Sequence, residues 1–271
     1  MNTLSLYFRL KANLPLVVIL GAFVILCAIY AWATPPLEAS DELWHIGMID
    51  WIADNGQLPV QQPGVKTAYE QEGSQPPLYY IIGALLVNGV DRSDFDDVRQ
   101  ANPHAVAGVP GYVGNKNLVL HDIPHSALQG SVLAVYIVRL FSILCGCVTV
   151  IVIYATAREL GIWQPILPIL EIVLTVFNPL FLFITPSANN DNLVTALNSV
   201  VIWQMVVMVR QTKFSLRRSF VIAVLVALAS LTKLSGLVVL PFVVLASCWV
   251  LLRPHFYAMQ GKSRLSALEW R

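Results

Sequence analysis

The sequence predicts an all-α polytopic membrane protein, with about six transmembrane helices and interfacial helices in a large first outer loop. Three observations predict it. Of the 271 residues, 56% are hydrophobic and 12% charged, and mean hydropathy is +0.66, whereas roughly a quarter of the residues of a soluble chain are charged. Long apolar runs without a regular polar face recur along the chain, as bilayer spans require. Lys and Arg collect on alternate sides of those runs, the pattern that orients membrane proteins. A net charge of +1 supplies no basic surface, and no nucleic-acid partner is expected. Cys27, Cys145, Cys147 and Cys248 all fall within apolar runs, where a thiol acts as a small hydrophobe.

The first run, 14–33, follows Arg9 and Lys11 and ends in Ala31-Trp32-Ala33. It is longer than a signal-peptide core and reads as a span. Further spans are expected at 132–157, 166–184, 193–209, 219–232 and 236–252. The stretch 219–252 would make one helix of about 51 Å, far beyond the roughly 30 Å hydrocarbon core. As one span it would bury Lys233 at a cost of about 2.5–3.5 kcal/mol. A break at Thr232-Lys233-Leu234-Ser235-Gly236 lifts Lys233 to the interface. Residues 140–158 suffice to cross, so Arg139 is expected at the outer interface with its charge snorkelling to water.

With a cytoplasmic N-terminus, the inner side holds 11 of the 17 Lys and Arg residues, in accord with the positive-inside rule. Residues 34–131 carry 12 of the 16 acids and fall outside, in a cell membrane. Within this loop, Ser40-Asp41-Glu42 opens a helix over about 41–55, with Ser40 as N-cap and Gly56 just past its end. Leu43, Ile46, Ile49 and Ile52 form an apolar stripe that would lie on the membrane. Asp41 and Glu42 admit two readings: acids that complement the helix dipole, or an acidic pair that deprotonates a hydroxyl or holds a divalent cation, with His45 one turn away on the same face.

A second juxtamembrane helix, about 76–88, starts at Gln75-Pro76-Pro77, with proline in its first turn. Tyr79 and Tyr80 suit headgroup level. Residues 91–130 are irregular and longer than a plain connection needs. His121 and His125 invite a metal reading, against which stands Pro124, which prevents a helix from aligning them. The next outward turn reads Thr185-Pro186-Ser187-Ala188-Asn189-Asn190-Asp191-Asn192, a helix start capped by Asn190 or Asp191. This topology brings Asp191, Lys233, Arg139 and the Asp41 helix to one membrane face.

Four motifs in order, Pro-Pro-Leu-Glu-Ala-Ser-Asp-Glu-Leu-Trp-His, Gln-Pro-Pro-Leu-Tyr-Tyr, Asn-Asn-Asp-Asn-Leu and Leu-Thr-Lys-Leu-Ser-Gly-Leu, resemble the GT-C superfamily of polyprenyl-phosphate-dependent glycosyltransferases. The nearest branch is the bacterial phospholipid carrier-dependent transferases, related to protein O-mannosyltransferases and the lipid A aminoarabinose transferase. The resemblance spans roughly residues 10–255. It implies transfer of a sugar from a polyprenyl-phosphate donor to an acceptor (lipid, glycan or protein) at the outer face, with inversion at the anomeric carbon. Its first-loop acid, a base or metal ligand, matches Asp41 and Glu42. Its second-loop acid matches Asp191, and its basic residue after the fifth span matches Lys233. A carboxylate base activates a poor hydroxyl nucleophile, and positive charge is needed where the phosphate departs. Lys233 and, from its depth, Arg139 are therefore expected at the donor phosphate, and His45, Gln75 and Tyr79 complete the candidate substrate-binding set. A divalent metal, Mg or Mn, is the one cofactor to be weighed, with Asp41 and Asp191 as candidate ligands. Superfamily members usually have more spans, so the sequence reads as a truncated copy, a fragment of a longer reading frame or one half of a split system.

The competing reading is a non-catalytic membrane protein: a carrier or flippase for lipid-linked sugars, or an inactive scaffold. A flippase needs polar groups through the midplane. Glu171 is the only acid well inside a span.

Overall fold

The structure, a computed structural model, describes residues 3–106, 111–121, 128–160, 166–211 and 215–259. Among them every extended element is helical, and strand pairing is limited to two isolated bridges, Ala101 with Val119 and Ala105 with Asn115. The order is α1 (Thr3–Ala33), α2 (Glu42–Asn55), a 3-10 turn (Glu70–Ser74), α3 (Leu78–Val87), α4 (Phe95–Val98), α5 (Gly130–Glu159), α6 (Ile166–Val176), α7 (Pro179–Ile184), α8 (Asn190–Gln211), α9 (Leu216–Thr232), a second 3-10 turn (Leu234–Val239) and α10 (Leu240–Met259). The chain is all-α and polytopic.

Among the described residues, four segments are long and apolar enough to cross a membrane: Asn13–Ala33, Gly130–Glu159, Asn190–Gln211 and Leu234–Pro254. Two other apolar runs take different forms. The run 166–184 is split, because Pro179 cannot donate a backbone bond and Asn178 starts a new helix, its Oδ1 accepting the N–H groups of Leu180 at 3.0 Å and Phe181 at 3.4 Å. Asn-Pro is a turn signal that the hydropathy of this run masks. The other run ends α9 after 17 residues, about 25 Å of helix. There Lys233 adopts extended backbone angles (φ −159°, ψ 142°). Gly236 then passes so close to α9 that an added Cβ would collide with the Ala229 backbone carbonyl. Only glycine allows that close approach.

Helix α5 is the spine. On one side it packs against α1, α6 and α7 around Phe23, Cys27, Val150 and Ile172. Along the other it meets α8, which in turn packs with α9 and α10 around Val201, Met208, Ile222 and Val226. A third core caps one end of the bundle, where α2 and α3 lie over the first turns of α5 around Ile49, Tyr79, Tyr80 and Val135. This cap holds the candidate site.

The stripe on α2 faces protein, not lipid. Ile46, Ile49 and Ile52 are buried in the cap, and α3 supplies the covering surface through Gly83, where a Cβ would meet the Ile49 side chain at 2.6 Å. An apolar stripe marks the buried face of a helix but does not say whether lipid or protein buries it. Gly56 ends α2 in the left-handed conformation (φ 65°), its N–H bonding to the Ile52 carbonyl at 2.8 Å. The helix begins one residue later than expected, with Asp41 rather than Ser40 in the cap position. Tyr79 and Tyr80 are both fully buried in the cap, so protein covers their rings.

Candidate active site

The adjacent acids Asp41 and Glu42 point into different surroundings, because successive residues of a helix are turned by about 100°. Asp41 is exposed, and its carboxylate makes no cap bond to the helix. Glu42 is 0% exposed and hydrogen-bonded on both oxygens. Its Oε1 accepts from Arg139 Nε at 2.9 Å and from the Ala188 N–H at 2.8 Å. Its Oε2 accepts from Arg139 Nη2 at 2.5 Å and from the Leu37 N–H at 3.0 Å. Leu37 has φ 66°, a backbone region costly for a residue with a Cβ, and Glu42 holds it there.

Arg139 is equally spent. Nη1 donates to the carbonyls of Ala31 at 2.5 Å and Thr34 at 2.8 Å, and Nη2 donates to the Pro35 carbonyl at 3.0 Å. With the two bonds to Glu42, all five guanidinium donors are used. The carbonyls of Ala31 and Thr34 lie at the C-terminal end of α1, where helix carbonyls lack intrahelical partners and a cation is favoured. Arg139 therefore does not snorkel. It is 1% exposed and has no donor left for a phosphate. Glu42 and Arg139, expected in substrate-facing roles, are joined as a buried bidentate pair that locks α1, α2, α5 and the turn before α8 together.

The open part of the rim is built by the N-terminus of α8 and the break after α9. Asn189, rather than Asn190 or Asp191, caps α8: its Oδ1 accepts the Asp191 N–H at 2.8 Å. Asn192 ties the turn down through bonds to the Ile184 carbonyl at 3.2 Å and the Ser187 carbonyl at 3.3 Å. Asp191 is thereby aimed outward, and Lys233 Nζ meets its Oδ1 at 2.6 Å. Their side chains retain 45% and 28% exposure, so the pair is open to an incoming ligand. Their depth along two different helices brings them together as expected.

Between the closed pair and the open pair lies a buried network that includes Glu72, a residue not singled out in the sequence. The polar stretch before Gln75-Pro76-Pro77 reads as solvated, yet Glu72 is 3% exposed. Tyr80 donates its hydroxyl proton to Glu72 Oε2 at 2.6 Å and accepts from Asn190 Nδ2 at 3.3 Å. His45 Nδ1 lies 3.0 Å from the same hydroxyl and 3.4 Å from Glu72 Oε2, with its ring stacked on Tyr80 at 5.7 Å. Burial holds His45 neutral, with Lys233 assisting, and lowers its pKa to about 4. Burial likewise raises the Glu72 carboxyl, the Tyr80 bond opposes the shift, and the charge of Asp41 adds to it. With His45 neutral, its approach to Glu72 is a dipolar contact rather than an ion pair.

The remaining candidates divide. Tyr79 is fully buried and pairs with Ser142 Oγ at 3.0 Å, and burial raises its phenol pKa. Gln75 is half-buried at the end of the first 3-10 turn. His121 Nε2 donates to Glu38 Oε1 at 2.8 Å, and Glu38 also accepts the N–H groups of Leu118 and Val119; His125 lies outside the described residues. Among the described residues no three His, Cys, Asp or Glu side chains gather as a metal site. The Lys233 ammonium on Asp191 occupies an oxygen that a cation bridging Asp41 and Asp191 would need. Positive charge at this carboxylate is thus already supplied by Lys233.

The family described as dolichyl-phosphate-mannose-protein mannosyltransferase matches residues 102–269. The chain belongs to this family. It is thus an integral membrane glycosyltransferase of the GT-C superfamily, a class that uses polyprenyl-phosphate sugars. Arg139, Asp191 and Lys233 fall within the matched span; Asp41, Glu42, His45 and Glu72 precede it. Comparison with curated proteins and with solved structures gave no match.

Proposed function

We propose that this glycosyltransferase moves a hexosyl or pentosyl group from a polyprenyl-phosphate donor to a lipid, glycan or protein acceptor, at the outer face of the cell membrane and with inversion. On motif order it is placed with the bacterial phospholipid carrier-dependent branch. Asp41 takes the proton of the acceptor hydroxyl as its oxygen attacks the anomeric carbon. The bond from that carbon to the phosphate oxygen breaks, and the electron pair leaves with the polyprenyl phosphate. Lys233 faces the negative charge that develops on the phosphate. Asp191 orients Lys233 through their ion pair, and Gln75 lines the approach. Glu42 and Arg139 hold the frame on which Asp41 stands.

The observation that carries this reading is the exposed Asp41 carboxylate, which makes no cap bond to its own helix and whose charge, like that of the Lys233 ammonium, reaches Glu72 at the same rim. The outward direction rests on the Lys and Arg census. Reconstituted protein supplied with radiolabelled polyprenyl-phosphate sugars and a panel of acceptors should release sugar from the lipid. A protein that binds or flips the donor without cleaving its sugar–phosphate bond would refute the reading. A membrane-impermeant label on a cysteine placed at exposed Ser40 tests the side.

A further inference from the structure

The proposed reaction leaves Glu72 unused, although its burial and partners are those of a built site. With Glu72 ionised, the hydrogen bonds around Tyr80 set its proton inventory. Tyr80 has one hydroxyl proton, and Glu72, an acceptor when ionised, takes it at 2.6 Å. The Asn190 amide donates to the phenol oxygen at 3.3 Å. His45 Nδ1, 3.0 Å from that oxygen, finds the hydroxyl proton already committed, so Nδ1 must carry the imidazole proton. Three elements meet at one oxygen: α2 through His45, the first 3-10 turn through Glu72, and α8 through Asn190. His45 lies one turn beyond Asp41, whose carbonyl its N–H bonds at 3.0 Å, and Asn190 immediately precedes Asp191.

We propose that Glu72 is a positioning residue for the transfer: by accepting the Tyr80 proton it makes the phenol oxygen accept from both His45 and Asn190, fixing the helix that follows Asp41 against the helix that carries Asp191. The inference rests on the function proposed above. The charged and titratable groups facing Glu72 are Asp41 at the start of α2, His45 on α2, Tyr80 on α3 and Lys233 after α9. Asp191 on α8 acts on Tyr80 and His45.

Removing Glu72 frees the Tyr80 proton, which then turns to His45 Nδ1 and drives the imidazole proton to Nε2. The test is 15N NMR of the His45 ring in full-length protein in nanodiscs, together with transfer kinetics. Wild type should show the Nδ1–H tautomer, and Glu72→Ala the Nε2–H tautomer. Glu72→Ala should lower kcat about tenfold or more with little change in donor KM, because it displaces a base and leaves donor binding intact. Tyr80→Phe should reproduce the fall in kcat, and the double variant should be no slower than either single one. A wild-type Nε2–H tautomer, or Glu72→Ala with wild-type kcat and tautomer, overturns the proposal. Failure of wild type to cleave any polyprenyl donor would count against the proposed function alone, since the tautomer reading needs no turnover.

Discussion

The rim at the capped end of the bundle has a closed half, where Glu42 and Arg139 are 0% and 1% exposed, and an open half, where Asp41, Asp191 and Lys233 reach solvent. Both halves contain a carboxylate and a cation within hydrogen-bonding distance. They differ in saturation. Every oxygen of Glu42 and every donor of Arg139 is committed to protein, so neither can accept a substrate proton or grip a phosphate. In the open half Asp41 keeps its lone pairs, and the Lys233–Asp191 contact uses one donor of three. One half builds the frame and the other is left to react.

The sharpest way to break this contrast is Asp41→Asn. Loss of a general base should reduce transfer about 10²–10⁴-fold, while the thermal unfolding midpoint stays at the wild-type value. Comparable turnover by the variant would remove Asp41 from the chemistry. The mirror experiment is Glu42→Ala or Arg139→Ala, which strands a buried charge and should cost about 3–5 kcal/mol of stability, read as a large fall in unfolding midpoint in nanodiscs. Glu42→Leu with Arg139→Met should recover only part of it, because the carbonyls of Ala31 and Thr34 would still lack the donor that Arg139 supplies.

Lys233→Ala should slow transfer about tenfold to a hundredfold, and Lys233→Arg should restore much of it, since positive charge at the leaving phosphate is the requirement. Equal activity of the Ala variant would move the phosphate site elsewhere. The smallest effect concerns pH. His45 has an ordinary pKa near 6.5, lowered to about 4 in the folded protein, so as pH falls from 6.5 toward 4 the unfolded chain takes up a proton that the native state refuses. Stability should fall across that window, by at most about 3 kcal/mol. His45→Asn, which can still donate to Tyr80, should flatten that part of the stability profile in pH-dependent melts. An unchanged slope would show that His45 is not the group responsible.

Much of the fold was legible because its signals are local. Gly56 marks the end of α2, the Lys233 region interrupts an apolar run too long for one helix, and the irregular stretch after 91 lacks any helical period. The Asn178–Pro179 break was equally local but was outweighed by hydropathy. Burial was not legible. The period of α2 located its apolar face, yet lipid and protein satisfy that face alike, and only the presence of α3 decides between them. Glu72 looked like any acid in a polar loop because its partners, His45 and Tyr80, are brought to it by separate helices.

By itself the sequence determined a helical membrane protein and the end of the bundle shared by Asp41, Arg139, Asp191 and Lys233, since hydropathy and helix rise are properties of consecutive residues. Which of those groups is free was decided only by tertiary structure. Glu42 is consumed by Arg139, 97 residues away, and by the Ala188 backbone, 146 residues away. Hydrogen-bond saturation depends on partners that no local pattern names, and it separates the acid left free to react from its neighbour that holds the frame.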